Sequence, residues 1–501
     1  MRRWIGKAAR RWMLLFHRWA GIATGLFFAL WIGSGLVMLY VPFPALTPPE
    51  RLAHLAPIAW DQVGVSPDAA LAAGGVAGVP AAFALEMRGD EPIYRIIGRD
   101  GAPATVSGRN GTRLGPVDAE AALRLAAGDR PGARVEPVER DQWTVTARYD
   151  PLRPFHKVAL GDPAGTELYV SQVTGEIALD TTRSERAWNW LGSVPHWIYL
   201  TPLRARAELW RTVLLWLSGF AAPAALSGLA IGIWRLRLRR RYAGGAVTPY
   251  RGLARWHHLF GLAGGLGLGA FILSGWISMN PNRWFASSAP PSGLRAAYAG
   301  TPGPLGVAIH QIRDRAGPET RSVRFTVIGG RWWVFADAAD GPRPVVADGS
   351  SFPDTATLAA AAAAAIPDGR LRATQHLAAY DTYWYPHGTD PRPLPILRLR
   401  FDDPAATWLH IDPRDGTILQ RLDHSGRINR WLFDAPHRLD LPVLTGRPTL
   451  RAAAQWLLNL LAAGIAVTGI VAGWRRLSRS PRRPAHPASA SVQPTSRSVP
   501  R

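Results

Sequence analysis

The chain is written twice. Shifted by 241 residues, the stretch from Thr166 to Gly228 falls on Thr407 to Gly469 without a gap. Leu168 meets Leu409, Gly175 meets Gly416, Trp190 meets Trp431 and Pro195-His196 meets Pro436-His437. Leu200 meets Leu441, and Ser227-Gly228 meets Thr468-Gly469. A shift of 240 does the same near the start of each half: HRWAGIATG from His17 falls on HHLFGLAGG from His257, and Ser34-Gly35 falls on Ser274-Gly275. A duplicated apolar frame with matched histidines predicts a symmetric site within a membrane.

Four apolar runs, at 13–41, 209–234, 257–279 and 450–475, are long enough to cross a bilayer, which takes about 20 helical residues. The last three are rich in Gly, Ala and Ser, as closely packed membrane helices are. The first is too long for a cleaved signal peptide, and its His17 has a repeat partner deep in the chain. Charge sets the orientation. Residues 1–11 carry five Lys/Arg, 235–256 seven Arg and 475–501 seven Arg, all without an acid, and together they supply 19 of the formal +22. With four spans these segments share one side, and the positive-inside rule makes it the cytoplasm. The basic balance is therefore a topology signal. No nucleic-acid-binding module accompanies it, and the expected non-protein surroundings are membrane lipid.

The expected fold class is a membrane α-helical protein with four spans, an internal duplication and two external α+β regions. These regions occupy 42–208 and 280–449; 1–12, 235–256 and 476–501 are cytoplasmic, the last a disordered tail rich in Pro, Ser, Ala and Arg. In the first region, helices at 67–75 and 117–128 each precede strand-like runs, at 82–87 with 92–98, and at 142–149 with 167–179. In the second, helices at 304–315 and 355–366 precede runs at 323–329 with 331–337, and at 396–401 with 406–419. Each half is thus expected to hold two helix-plus-hairpin modules. An aromatic connector with Trp188, Trp190, Trp197 and Tyr199 suits the membrane interface.

Several stretches carry a family resemblance: FHRWAGIATGL, WNWLGSVPHWIYLTPLR, WHHLFGLAGGL with SGWISMNPNRW, LRFDDPAATWLHIDPRDGTI and RWLFDAPHRLDLPVL. Over residues 10–475 the chain resembles the PepSY-associated transmembrane proteins, which include iron-regulated membrane proteins and ferric-siderophore reductases. The resemblance implies PepSY-type domains outside a bacterial inner membrane and, as in some members, haem b with ferric-siderophore reduction. Other members have no established activity, so family alone does not assign one.

The chain has no cysteine, which excludes disulfides, iron–sulfur clusters and covalent c-type haem. Any haem is non-covalent and held by His or Met. His17 and His257 sit near the cytoplasmic ends of spans one and three, and His196 and His437 precede spans two and four on the outer side. Taking spans one and three as neighbours, two haems b are expected, the inner on His17 and His257 and the outer on His196 and His437, with His258 able to replace His257. Gly21 and Gly25, like Gly261 and Gly265, follow their histidine at i+4 and i+8 and leave room for a flat macrocycle. The plainer readings stand beside this: His beside Arg18 or Arg255 at the headgroups, GxxxG as helix packing and Pro-His as a cap.

His156, His310, His376, His387, His410 and His424 lack metal-ligand spacing, and His410 is expected as an exposed strand residue. Tyr380, Tyr383, Trp384 and Tyr385 form an aromatic loop that either stacks on a siderophore or lines its entrance, or else packs against the bilayer or the other external domain; Asp402 and Asp403 read as a hairpin turn. No glycine fingerprint follows a strand, since GGLGLG at 264–269 lies inside a span, so no flavin or NAD site is evident and neither is a hydrolase motif. The expected activity is electron transfer from quinol or a separate cytoplasmic reductase to a ferric siderophore outside. The alternatives are a non-enzymatic membrane-anchored module binding a peptide, protease or transporter, and a siderophore-transport subunit with purely structural histidines.

Overall fold

The computed structural model describes residues 6–76, 78–338, 341–345, 352–386 and 392–478. The expected cytoplasmic tail beyond residue 478 and His387 lie outside them.

Among the described residues four helices are long and apolar enough to cross a membrane: α1 (Lys7–Met38), α2 (Ala207–Arg235), α3 (Gly252–Ser278) and α4 (Pro448–Leu477), with mean hydropathies of 1.6–1.9. They extend beyond the apolar runs because their basic or polar flanks continue the helix. The helices form a ring in which α1 packs on α2 and α4, and α3 packs on the same two. Spans one and three are therefore not neighbours, as expected from sequence, but opposite corners of a four-helix bundle. The interior is built of small residues, Ala20, Ala221, Ala222, Ala224, Ala462 and Ala466, around Phe28, Ile32, Leu268 and Ile272. Close backbone approach is explicit at Gly264, where a Cβ would lie 2.6 Å from the Leu461 Cβ. The outer face exposes Trp12, Leu26, Trp216, Leu266 and Trp474, the distribution of a bundle solvated by hydrocarbon.

Outside the bundle the two halves are joined in one sheet. The strands β1 (Ala82–Arg88), β2 (Glu91–Ile97) and β3 (Pro103–Ser107) from the first half meet β8 (Ser322–Ile328), β9 (Arg331–Ala338) and β10 (Gly341–Pro344) from the second. The order is β10-β9-β8-β1-β2-β3. At the joint β1 and β8 run antiparallel, with Ala84 opposite Arg324, Leu85 opposite Val323 and Glu86 opposite Ser322. Ala84 and Arg324 are 240 residues apart, the shift that superposes the halves, so the pseudo-twofold axis passes through this pair. Phe83 stacks on Phe325 at 4.5 Å. Trp60, Phe83 and Tyr94 share one core with Ile312, Phe325 and Val334.

The remaining strands form two four-stranded meanders: β4 (Arg134–Val138), β5 (Phe155–Ala159), β6 (Glu167–Ser171) and β7 (Ile177–Thr181), and then β11 (Leu371–Leu377), β12 (Ile396–Phe401), β13 (Trp408–Ile411) and β14 (Ile418–Leu422). Each carries one helix, Ala119–Ala127 or Thr355–Ala365, started by the side chain of Asp118 or Asp354. Each also has a cis proline before its second strand, at Pro154 and Pro395, again 241 residues apart.

The expected strand at 142–149 is absent: Ala147–Leu152 is a 3-10 helix. Here the Asp141 carboxylate accepts from the N–H groups of Trp143 and Thr144, and Arg153 donates to the carbonyls of Thr144 and Thr146. These local bonds outcompete a ladder. Conversely, the edge strands β4 and β11 are largely exposed and lack the alternation that announces a strand. The expected helix at 304–315 is confined to Ile309–Ala316.

His410, expected at the surface, is fully buried. Its Nε2 accepts from Arg398 Nε at 2.7 Å, and its Nδ1–H donates to Gln420 Oε1 at 2.8 Å; Arg398 in turn pairs with Asp381. Trp384 and Tyr385 are each 2% exposed, so this part of the aromatic loop packs internally, with Trp384 against His410. Asp402 and Asp403 make turn bonds, to Arg370 and to Thr407. Burial and then Arg398 push His410 down to about 3. Because the folded value lies below the unfolded one, stability present above about pH 6.5 is lost as pH falls toward 3. Acid unfolding of β11–β14 should therefore begin within this window, and His410→Gln should flatten the pH dependence followed by hydrogen exchange.

Candidate functional site

The matched histidines face one another in two pairs. His17 on α1 and His257 on α3 have ring centroids 6.3 Å apart, tilted by 36°. His196 lies on a short helix, Ser193–Trp197, and His437 on its counterpart, Ala435–Arg438; their centroids are also 6.3 Å apart, at 67°. Each short helix ends on a left-handed residue, Ile198 or Leu439. The chain enters them differently. A break at Gly192 precedes the first, where a Cβ would lie 2.9 Å from Val37. A π-turn over Arg430–Asp434 precedes the second, with Phe433 in the glycine's place, 5.2 Å from the His437 ring.

All four rings are held through Nδ1. His17 Nδ1 lies 3.1 Å from the Ala224 carbonyl and 3.4 Å from Ser227 Oγ, and His257 Nδ1 lies 2.9 Å from Thr468 Oγ1. His196 Nδ1 lies 3.2 Å from the Trp31 carbonyl and 3.1 Å from Ser34 Oγ; for His437 the partners are the Phe271 carbonyl at 3.1 Å and Ser274 Oγ at 3.0 Å. The four hydroxyls already donate to carbonyls of their own helices, at Ala224, Gly464, Leu30 and Ala270. The imidazole Nδ1–H must therefore be the donor. That leaves Nε2 of each ring as a lone pair without a hydrogen bond among the described residues. Burial pushes His196 down to about 4, and burial with His196 and Arg438 pushes His437 to about 3, so both stay neutral at physiological pH.

The glycine after each hydroxyl completes the seat. A Cβ at Gly228 would stand 2.6 Å from His17 Cε1, at Gly469 3.3 Å from His257 Cε1, at Gly35 3.3 Å from His196 Cε1 and at Gly275 3.5 Å from His437 Cε1. The two [Ser/Thr]-Gly pairs on α2 and α4 thus seat His17 and His257, and those on α1 and α3 seat His196 and His437. Their repetition is visible in the sequence, but its role emerges only from these contacts.

The separation is compatible with two imidazoles sharing one metal. The ring centroid lies about 1.1 Å from Nε2 and a metal–imidazole bond is about 2.0–2.1 Å, so two rings on opposite sides of one metal would have centroids about 6.3 Å apart. A carbonyl or hydroxyl on the far nitrogen is the usual outer partner of a ligating histidine. Two imidazoles alone do not make a bare-ion site, and among the described residues no group of three His, Cys, Asp or Glu is placed to hold a metal. A macrocycle that brings its own equatorial ligands removes the shortfall. Between Trp31, His196, Leu268 and His437 lies a cavity of about 700 Å³, within the range of cofactor sites.

The expected glycine slot is half present. A Cβ at Gly21 or Gly261 would meet nothing within 4 Å, whereas Gly25 packs on Ile470 and Gly265 on Leu229; the i+8 glycines serve helix packing. His258 is not an alternative ligand in this arrangement. Its Nε2–H donates to the Gly232 carbonyl at 2.9 Å and its Nδ1 accepts from Thr248 Oγ1 at 2.7 Å, so the two nitrogens together tie the 235–256 loop to the bundle. From His17 to Ser34, which holds His196, α1 rises about 25 Å, the distance between the two pairs along the bundle. No family model, curated protein or solved structure matches the chain.

Proposed function

We propose that the chain is a bacterial inner-membrane haem b protein of the PepSY-associated type, carrying electrons to a ferric siderophore or other ferric chelate on the outer side. The observation that supports this most is the pair of 6.3 Å imidazole centroid separations, each ring with Nδ1 tied and Nε2 without a hydrogen bond among the described residues. His17 and His257 hold the inner haem; His196 and His437 hold the outer. A haem held between each pair of imidazoles would supply one-electron redox chemistry. The apolar bundle excludes water, and the seats keep the imidazoles from turning. The basic segments 1–11 and 235–256 support a cytoplasmic side for the inner pair by the positive-inside rule, with quinol or a separate reductase as the donor. One electron converts Fe(III) in the chelate to Fe(II), which hard oxygen ligands hold less well.

The test is a visible spectrum of the purified protein, oxidised and then reduced with dithionite, with a pyridine haemochrome count. Two haems b per chain are expected, with the bound ferric chelate reoxidising them. A colourless protein after expression with ample haem overturns this reading in favour of a non-enzymatic binding module.

A further inference from the structure

The histidine frame is symmetric, but the outer cavity is not. Its first-half wall includes Trp197, Leu214 and Ser218; the positions 241 residues later, on the opposite wall, are Arg438, Gln455 and Asn459. Asp440 and Arg451 line the second-half wall too, where the first half has Tyr199 and Trp210. In the first half Trp210 Nε1 donates to the Trp197 carbonyl at 2.7 Å. The nearby cation Arg204 stacks on Tyr199 and Trp210 rather than lining the cavity. In the second half Arg451 meets Asp440 at 2.8 Å and Arg438 meets Asp434 at 3.6 Å. Buried Arg430 donates to the Asp440 carbonyl as well. Among the described residues this wall thus brings two guanidiniums, Arg438 and Arg451, and one carboxylate, Asp440, to one edge of the cavity, where the first half has Trp197, Trp210 and Tyr199.

Haem b has the same asymmetry, with one hydrocarbon edge and one edge bearing two carboxylates. Resting on the haem reading above, we infer that Arg438 and Arg451 anchor the carboxylate edge of the macrocycle between His196 and His437, and so select one orientation from those the symmetric histidines would accept. The guanidiniums are donors suited to carboxylate, and the Gln455 and Asn459 side chains, bonded to the carbonyls of Arg438 and Gln455 at 2.8 Å each, keep that wall polar and ordered. A guanidinium beside the macrocycle would favour the reduced, less positive iron.

The test compares the wild-type full-length protein with R438M/R451M and R438K/R451K, by haem count and by optical redox titration. In the methionine variant one of the two midpoint potentials should fall and the other stay, and the lysine variant should restore it. Loss of one haem that the lysine variant restores supports the inference equally. Two haems with both potentials unchanged overturns it, as does an equal shift of both potentials or a loss that lysine does not rescue. A wild-type protein without haem defeats the underlying reading instead.

Discussion

Replacing His196 and His437 together by Ala should remove one haem of two and leave the other with its spectrum intact, and H17A/H257A should do the converse. The pairs are separate because about 25 Å of α1 lies between them, and each is held by its own hydroxyl–glycine seats. A sharper version spares the ligands. Gly228→Val places a side chain 2.6 Å from His17 Cε1, closer than atoms can approach, so His17 must leave its seat. Haem content should drop from two to one per chain, although every imidazole remains. Gly469→Ala, at 3.3 Å from His257, should cost less. Equal haem content in G228V and wild type would show that His17 is not held where its function requires.

Phe83→Ala should destabilise both external regions at once. Phe83 is 1% exposed, stacks on Phe325 across the joint and belongs to a core drawn from both halves. Truncating such a residue costs about 3–5 kcal/mol. Peptide-resolved hydrogen exchange should show faster exchange in β8 and β9 as well as in β1 and β2. Val170→Ala, in the fully buried core of the β4–β7 meander, should loosen its own sheet alone. Protection of β8 and β9 unchanged in F83A would mean that the halves fold independently despite their shared sheet.

Much of this architecture is legible in one dimension. Long apolar runs flanked by arginine announce α1 to α4, because a helix in hydrocarbon must be apolar throughout and its flanks are charged. Alternation announces β1 and β12, and short apolar runs announce the more continuously buried β2 and β6. Alternation fails for β4 and β11, which are exposed edges, and misleads at 142–149, where Asp141 and Arg153 capture the backbone. His410 was misread for a related reason: a polar residue on a strand suggests solvent unless its partners are known, and Arg398 and Gln420 reach it from neighbouring strands.

The sequence by itself determined the duplication, the four apolar helices and the two sets of matched histidines. Each is a pattern of residue types along the chain, and identity at a fixed shift needs no folded contact to be seen. The tertiary structure decided that His17 meets His257 and His196 meets His437 across a diagonal rather than between neighbours. It also decided that [Ser/Thr]-Gly pairs seat them, that β1 joins β8 on the pseudo-twofold axis and that Arg438 and Arg451 line one wall of the outer cavity. These depend on partners some 160–240 residues apart, where the chain carries no local trace of which surface a side chain will meet.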